Sequence, residues 1–592
     1  MVYDYSQILP YDFEKLYDAE KLNAVLDNIR NRRVLIYSLS AESKNLLFLL
    51  MSKCIKVEGF LLTANETEKV GVSFCGRPAR QWQDLSEDDF VLLVAESQKA
   101  EVDNEIWSSR FGEIYYIPRR KHKPLILYGT GYGGEKALEF FRYQNVPVAK
   151  FCDRDPHKIA SGYCGLEVIS LTELSGEKDA EIVITMVNPQ AAKKVAYELL
   201  TQGYATHLYY FDYFTIPPVK PHLICYFISY FLHKKSQGCK IFLYGSSAKE
   251  LSPKLAALGM EIDGVLQKKD LYDLLYEQQD NYLVAVLEDT HVASKLVKKS
   301  GLPATNFVTY PYMGRLDAAN TLDPNLSYNH KDSVQILRSA LHKKPYKLGI
   351  LGGSTSDIRQ YPEKSWPEHL AEIATERGIS LEIHCGAVAG YLVAQELVKF
   401  VRDMSHLGLD MLISYSGVNE DGGNAAPENY FVSFYQKNLT SKLLQMHPER
   451  GLTFGQGMGD VAKHWLHQET ILHGICAELG INFHAVLQPW VYSKSKDKLS
   501  KMDKSIIENG CFMLDSPYVK RQFEMHQTSM RSLENLVREK EQQLPWLHSF
   551  SHILDDEPEA YFDQVHLYSH ANRKLAEKMF EFVTADMQAR RC

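Results

Sequence analysis

The chain has 592 residues, too many for one hydrophobic core, and roughly 100–200 residues per domain predicts three to five units. Hydrophobic residues at 45% and charged residues at 24% are those of an ordinary globular protein and exclude a long segment kept unfolded by composition. A formal charge of −8 argues against a nucleic-acid backbone as a general partner.

The first residues, MVYDYSQILPYDFEKLYD, carry acidic groups where a secretory signal would be basic and then apolar, so a cytoplasmic protein is expected. The apolar run around Leu223–Leu232 is too short to span a bilayer, and no transmembrane segment is predicted. Ten cysteines without a CxxC pair read as thiols and core fillers, with no metal site.

Three stretches, 33–118, 124–212 and 239–310, then share one layout. Each opens with an apolar strand ending in tyrosine and a small residue: VLIYS, LILYG and IFLYG. A helical stretch and a second strand follow (KVEGFL, PVAKFCD, EIDGVL), then a third apolar run (VLLVAES, IVITMVN, YLVAVLED) and a short aromatic strand. This alternation predicts parallel sheets with helices on both faces. The first two copies also align Cys75-Gly76 with Cys164-Gly165. The simplest reading is three tandem Rossmann-like units: 1–120 degenerate, 121–213 with a glycine fingerprint, and 214–330 degenerate with a connector.

The copies differ chemically. The second has Gly129, Gly131 and Gly134 in G-x-G-x-x-G spacing between strand and helix, with Asp153 at the end of the next strand. Such glycines let amides approach a pyrophosphate and the carboxylate accept from a ribose, or they serve only the turn and helix packing. The first copy has Ser38, Ser40, Ser43 and Leu62 at these places, and the third has Gly245, Ser247 and Glu250, whose charge would repel a phosphate. The middle unit resembles nucleotide or nucleotide-sugar binding units of bacterial surface-polysaccharide proteins, which implies such a ligand at Gly129, Gly131, Gly134 and Asp153. Residues 213–238 and 311–344 read as connectors.

The last stretch carries four short blocks. LGGSTS (351–356) ends a strand, YKLGILGG, with Ser354 on a glycine turn, where a hydroxyl can project as a nucleophile or merely cap a helix. AVAGY (387–391) follows the strand SLEIHCG and offers the Gly390 amide. SGVNE (416–420) follows the strand DMLISY and presents Asn419, an amide donor or a turn residue, beside Glu420, read as structural. DQVH (563–566) puts Asp563 three residues before His566, so that a carboxylate can hold an imidazole while the other ring nitrogen takes a proton. His384 and Cys385 read as strand-end packing, His570 as a helix-start residue, Thr355 and Ser356 as turn residues. Gln488 and Trp490 read as cleft or core residues, and LENLVREKEQQ as a solvated helix face.

In order and local sequence these blocks resemble the SGNH (GDSL-like) hydrolase superfamily over roughly 345–592, with GGS where GDS is usual. The resemblance implies a three-layer α/β/α domain, Ser354 as nucleophile, His566 and Asp563 as base and orienter, and an oxyanion hole from Ser354, Gly390 and Asn419. It implies ester hydrolysis with no required cofactor. Together with the upstream units it suggests an acyl group, such as acetyl, on a sugar or glycan precursor. The alternatives are sugar O-acyl transfer by the same triad, or a nucleotide-sugar-binding scaffold or sensor. The compatible partners are an acylated carbohydrate or other small ester, a second copy of the chain, or a polysaccharide-biosynthesis protein.

Overall fold

A computed structural model describes residues 9–590 apart from 12, 86–89, 105–110, 112, 145, 178, 187–188, 205–207, 212–220, 246, 268–269, 271–280, 288–305, 310–319, 324, 331, 341–343, 360–362, 421–460 and 511–516. The start of the chain and most of the connector before Pro221 therefore lie outside the described residues. The chain divides into two compact units. The first comprises 1–228 with 250–261 and 508–521; the second comprises 229–249, 262–507 and 522–592. Among the described residues, no helix is long and apolar enough to cross a membrane.

The first unit holds two six-stranded sheets. One runs in the order Ser73–Phe74, Arg77–Arg80, Val57–Leu61, Arg33–Tyr37, Phe90–Ala95, Glu113–Ile117, parallel except for the hairpin at 73–80. The other runs Leu9–Tyr11, Leu208–Phe211, Glu181–Ile184, Leu125–Tyr128, Val148–Cys152, Val168–Ile169, parallel throughout. The apolar runs that predicted parallel strands are buried along their whole length at Phe90–Ala95 and Leu125–Tyr128, as a sheet covered on both faces requires. The Cys-Gly pairs aligned in the sequence form the same left-handed turn, with φ of 47° and 72° at Cys75-Gly76 and 51° and 78° at Cys164-Gly165. Cys75 and Cys225 form a disulfide, which corrects the expectation of thiols throughout. Pairing at a separation of 150 residues is set by the fold and leaves no spacing signature.

The second unit contains a four-stranded parallel sheet in the order Gly264–Leu266, Lys240–Tyr244, Tyr282–Val286, Phe307–Thr309. In all three of these sheets the opening strand lies between the second and the third, and the fourth pairs with the third. The residue after each opening strand has positive φ: Ser38 at 65°, Gly129 at 112° and Gly245 at 136°.

The second unit also holds the six-stranded sheet that carries the four C-terminal blocks. Its order is Gln335–Arg338, Leu381–Cys385, Tyr346–Gly352, Met411–Ser416, Asn482–Leu487, Leu547–Ser549. All pairings are parallel except that of Gln335–Arg338 with Leu381–Cys385. Part of the predicted connector is thus structured: Asn320–Asp323 and Ser327–His330 form a hairpin, and Gln335–Arg338 is an edge strand. These strands are four residues long, too short for alternation to declare itself. Core positions such as Leu351, Leu412, Trp465, Phe483 and Leu487 are fully or almost fully buried. After Tyr346–Gly352 the chain goes to one neighbouring strand and then to the other, so the order reverses at the carboxyl end of that strand. Open α/β sheets bind ligands at such a point.

Candidate active site

Three of the four blocks leave the sheet at that same end. Ser354 follows Tyr346–Gly352, Gly390 follows Leu381–Cys385 and Asn419 follows Met411–Ser416. The Ser354 turn needs both its glycines. Gly352 has φ +152°, and a Cβ there would lie 2.6 Å from the Tyr415 carbonyl oxygen. A Cβ on Gly353 would lie 2.3 Å from the Asn419 side-chain nitrogen. The departure from GDS therefore has a local reason, since the Asn419 amide occupies the space of a side chain at 353. The Gly353 carbonyl accepts the amides of Ser356 and Asp357 at 3.2 and 3.1 Å, which curls the chain behind the serine.

DQVH meets this turn from the other end of the sequence. His566 Nε2 lies 2.9 Å from Ser354 Oγ, and His566 Nδ1 lies 2.6 Å from Asp563 Oδ2. The second Asp563 oxygen accepts the amides of Val565 and His566 at 2.9 and 2.7 Å, so the carboxylate is fixed before it touches the ring. Burial raises the Asp563 carboxyl, but the facing imidazole and these hydrogen bonds outweigh it and hold the group below the ordinary aspartate range. The loop is closed by a bridge between Tyr561 and Leu567 and is tied to the neighbouring loop by the Val491 amide, which donates to the Gln564 carbonyl at 2.9 Å.

The donors around Ser354 are built by the other two blocks. Gly390 has φ +78°, and its amide and that of Ser354 have no acceptor among the described residues. Asn419 Nδ2 donates to the Tyr391 carbonyl at 3.1 Å. One of its two hydrogens is thereby used, and the other is left for a ligand. The Gly390 turn is held by Asp357, whose Oδ2 accepts the Ala389 amide at 3.0 Å and meets His330 Nε2 at 2.8 Å. Asp357 and His330 are missing from the sequence reading. An aspartate three residues after a serine reads as turn polarity, and His330 sits in a stretch that reads as a connector.

Glu420 is buried, and its Oε1 accepts the Val393 amide at 2.8 Å, a structural contact as expected. It belongs to a group of three buried carboxyls with Glu396 and Glu469, the latter two sharing the Ser414 hydroxyl at 3.1 and 2.7 Å. Burial pushes Glu420 and Glu469 up to about 8 and Glu396 well above the glutamate range.

The remaining sequence candidates fall outside the relay. Cys385 is buried and donates to the Ser356 carbonyl at 3.4 Å, with burial pushing its thiol up to about 12, and His384 pairs with Glu382 at 2.9 Å. Trp490 is only 2% exposed and its N–H donates to Glu534 at 3.0 Å, so of its two readings the structure gives the core one. Gln488 is buried beside it in sequence. His570 lies 3.7 Å from Glu557, at the start of the helix Ser569–Ala589.

At the glycine fingerprint, a Cβ on Gly134 would lie 2.1 Å from the Gly129 carbonyl oxygen, whereas one on Gly131 would meet nothing within 4 Å. The third glycine thus serves helix packing and the second leaves the turn open. Asp153 Oδ2 accepts the Thr130 amide at 2.8 Å and its hydroxyl, so the carboxylate faces the turn itself. In the first copy the Glu66 carboxylate takes the Leu39 amide at 3.1 Å and the Ser38 hydroxyl at 3.2 Å, filling the corresponding turn with the protein's own anion.

The sequence matches no protein-family model and no curated protein. Among solved structures, it is similar to a catalytic mutant of Axe2, an acetylxylan esterase from Geobacillus stearothermophilus, with 12% identity, 41% of this chain and 94% of that chain covered, and a TM-score of 0.25. An acetyl xylan esterase, AlAXEase, matches at 16% identity over 40% of this chain and 99% of its own, TM-score 0.23. A GDSL-like lipase from Bacteroides thetaiotaomicron matches at 10% identity over 41% of this chain and 89% of its own, TM-score 0.23.

Proposed function

We propose that this chain is a serine ester hydrolase of the SGNH type that removes an acyl group, acetyl in the first instance, from a sugar or glycan precursor. The observation that carries the reading is the unbroken relay from Ser354 Oγ through both ring nitrogens of His566 to Asp563. The reading of an oxyanion site beside it is supported by the amides of Ser354 and Gly390, which have no acceptor among the described residues, and by the second hydrogen of Asn419 Nδ2.

In this reading His566 Nε2 takes the proton from Ser354 as Oγ attacks the ester carbonyl, and Asp563 stabilises the imidazolium that forms. The negative charge on the carbonyl oxygen is met by the amides of Ser354 and Gly390 and the free hydrogen of Asn419 Nδ2. Collapse of the tetrahedral intermediate expels the alcohol, which His566 protonates, leaving an acyl ester on Ser354. Water, deprotonated by the same imidazole, then releases the acid.

The sugar component rests on the resemblance of the 121–213 unit to those of polysaccharide proteins. A nucleotide or nucleotide-sugar at Gly129–Gly134 is a separate proposal, supported by the open space over Gly131. Titration calorimetry with uridine diphosphate and with a Gly131→Val variant tests it, and equal absence of heat in both would remove it.

Hydrolysis of p-nitrophenyl acetate and longer esters by the wild type, Ser354→Ala and His566→Ala tests the main reading. Loss in both variants with preference for acetyl is expected, and equal rates in all three would refute it.

A further inference from the structure

The loop bearing Asp563 and His566 has little regular structure of its own, so its placement depends on what packs against it. Part of that packing comes from far upstream. The helix Pro221–Ser236 ends in a segment that, from Ser229 on, belongs to the second unit. Tyr230 in this segment is 1% exposed, its ring nearly parallel to that of Tyr568 at 6.1 Å and tilted against Phe562 at 5.3 Å. Phe562 is in turn parallel, within 13°, to the His566 imidazole at 5.8 Å, and its amide donates to the His566 carbonyl at 3.1 Å. One turn further on, Lys234 pairs with buried Glu363, whose other oxygen accepts the amide of Ser569. His233 adds a ring contact to Tyr568 at 4.4 Å.

One helix end therefore touches the catalytic loop on both sides of His566, with an aromatic ring against residues 562 and 568 and a cation that reaches 569 through Glu363. Aromatic contacts of this kind are directional, and fixing the ring of Phe562 fixes the face on which the imidazole rests. We propose that Tyr230, supported by Lys234, is a positioning residue that holds His566 in line with Ser354 through Phe562 and Tyr568. The proposal rests on the esterase reading of the same site. It makes a segment more than 100 residues before the Ser354 block a working part of that site.

The test compares kcat and KM for p-nitrophenyl acetate in the full-length wild type, Tyr230→Ala, Tyr230→Phe and Lys234→Met, with Ser354→Ala alongside. Each rate is referred to serines labelled to completion with a fluorophosphonate, so that unfolded molecules are not counted. Tyr230→Ala is expected to lower kcat about tenfold to a hundredfold while KM stays within about twofold, as for a misplaced proton acceptor. Tyr230→Phe keeps the ring and loses only the hydroxyl that Glu363 accepts from, so it should recover most of the wild-type rate. Lys234→Met should lower kcat in the same direction by a smaller factor, and it decides the matter if Tyr230→Ala does not fold. Wild-type kcat per labelled serine in Tyr230→Ala, or in Lys234→Met where only that variant folds, would overturn the proposal, as would a Tyr230→Phe enzyme as slow as the alanine variant. Full activity in Ser354→Ala would instead remove the esterase reading, and this inference with it.

Discussion

Asp357 accepts the amide of Ala389 at 3.0 Å, a side-chain tie between the turn of Ser354 and the turn of Gly390 that runs beside the backbone bond from the Val388 amide to the Gly352 carbonyl at 3.1 Å. Two of the three proposed oxyanion donors, the Ser354 and Gly390 amides, lie in loops after different strands, and this carboxylate links those loops. Asp357→Ala should lower kcat for p-nitrophenyl acetate about tenfold or more with little change in KM, because loosened donors lose the transition state more than the substrate. Steady-state kinetics checks this.

Asn419 and Gly353 should fail together. Removing the Asn419 amide should cost kcat about a hundredfold to a thousandfold, roughly 2.7–4 kcal/mol of barrier. Gly353→Ala puts a Cβ 2.3 Å from that amide nitrogen and should displace it, for a loss of similar size. The double variant should then be little worse than either single one, and a double-mutant cycle reads the difference.

Asp563→Asn should leave the loop folded but remove the negative partner of His566 Nδ1. By analogy with other serine triads, kcat should fall by roughly four orders of magnitude. The acid side of the stability curve should change as well. A carboxyl held below its ordinary range contributes stability that is present above the unfolded value and lost as pH falls through the lowered one. Asp563→Asn should flatten that loss in a series of Tm measurements below pH 4, where wild type declines.

The carboxyl group of Glu396, Glu420 and Glu469 has the opposite sign. Glu469 is raised from 4.5 to about 8, so between those values the unfolded chain gives up a proton that the fold retains. Stability is full below the lower value, declines as pH rises and levels out above the upper one. Tm should therefore fall from mildly acidic to mildly alkaline pH, and Glu469→Gln should reduce the fall. Scanning calorimetry across that range measures both.

Much of this site was legible because its chemistry restricts the residue types. A serine after two glycines at a strand end and a histidine three residues after an aspartate in the loop before the last helix keep their meaning without knowledge of the fold. The supporting parts were not legible, for different reasons. Asp357 acts through a backbone amide in the turn after another strand, and nothing in STSD announces that partner. His330 lies in a hairpin of four-residue strands, below the length at which periodicity can be read. Tyr230 sits in an apolar run that reads as connector, and only the folded chain brings it to Phe562. The parallel sheets were readable from their continuous apolar runs, whereas the Cys75–Cys225 link depends on distances that sequence does not contain.

The strand Gln335–Arg338 gives the C-terminal sheet a border. It pairs antiparallel with Leu381–Cys385, a strand buried along its whole length, and takes up hydrogen-bonding groups that would otherwise face outward. A fragment cut at 345, just before the first of the four blocks, would keep Ser354, Asp563 and His566 and yet bare that strand as an open template for other chains. Such a fragment should aggregate where one beginning upstream of the hairpin at Asn320 stays dispersed, so the boundary set by chemistry and the boundary set by solubility differ in this protein.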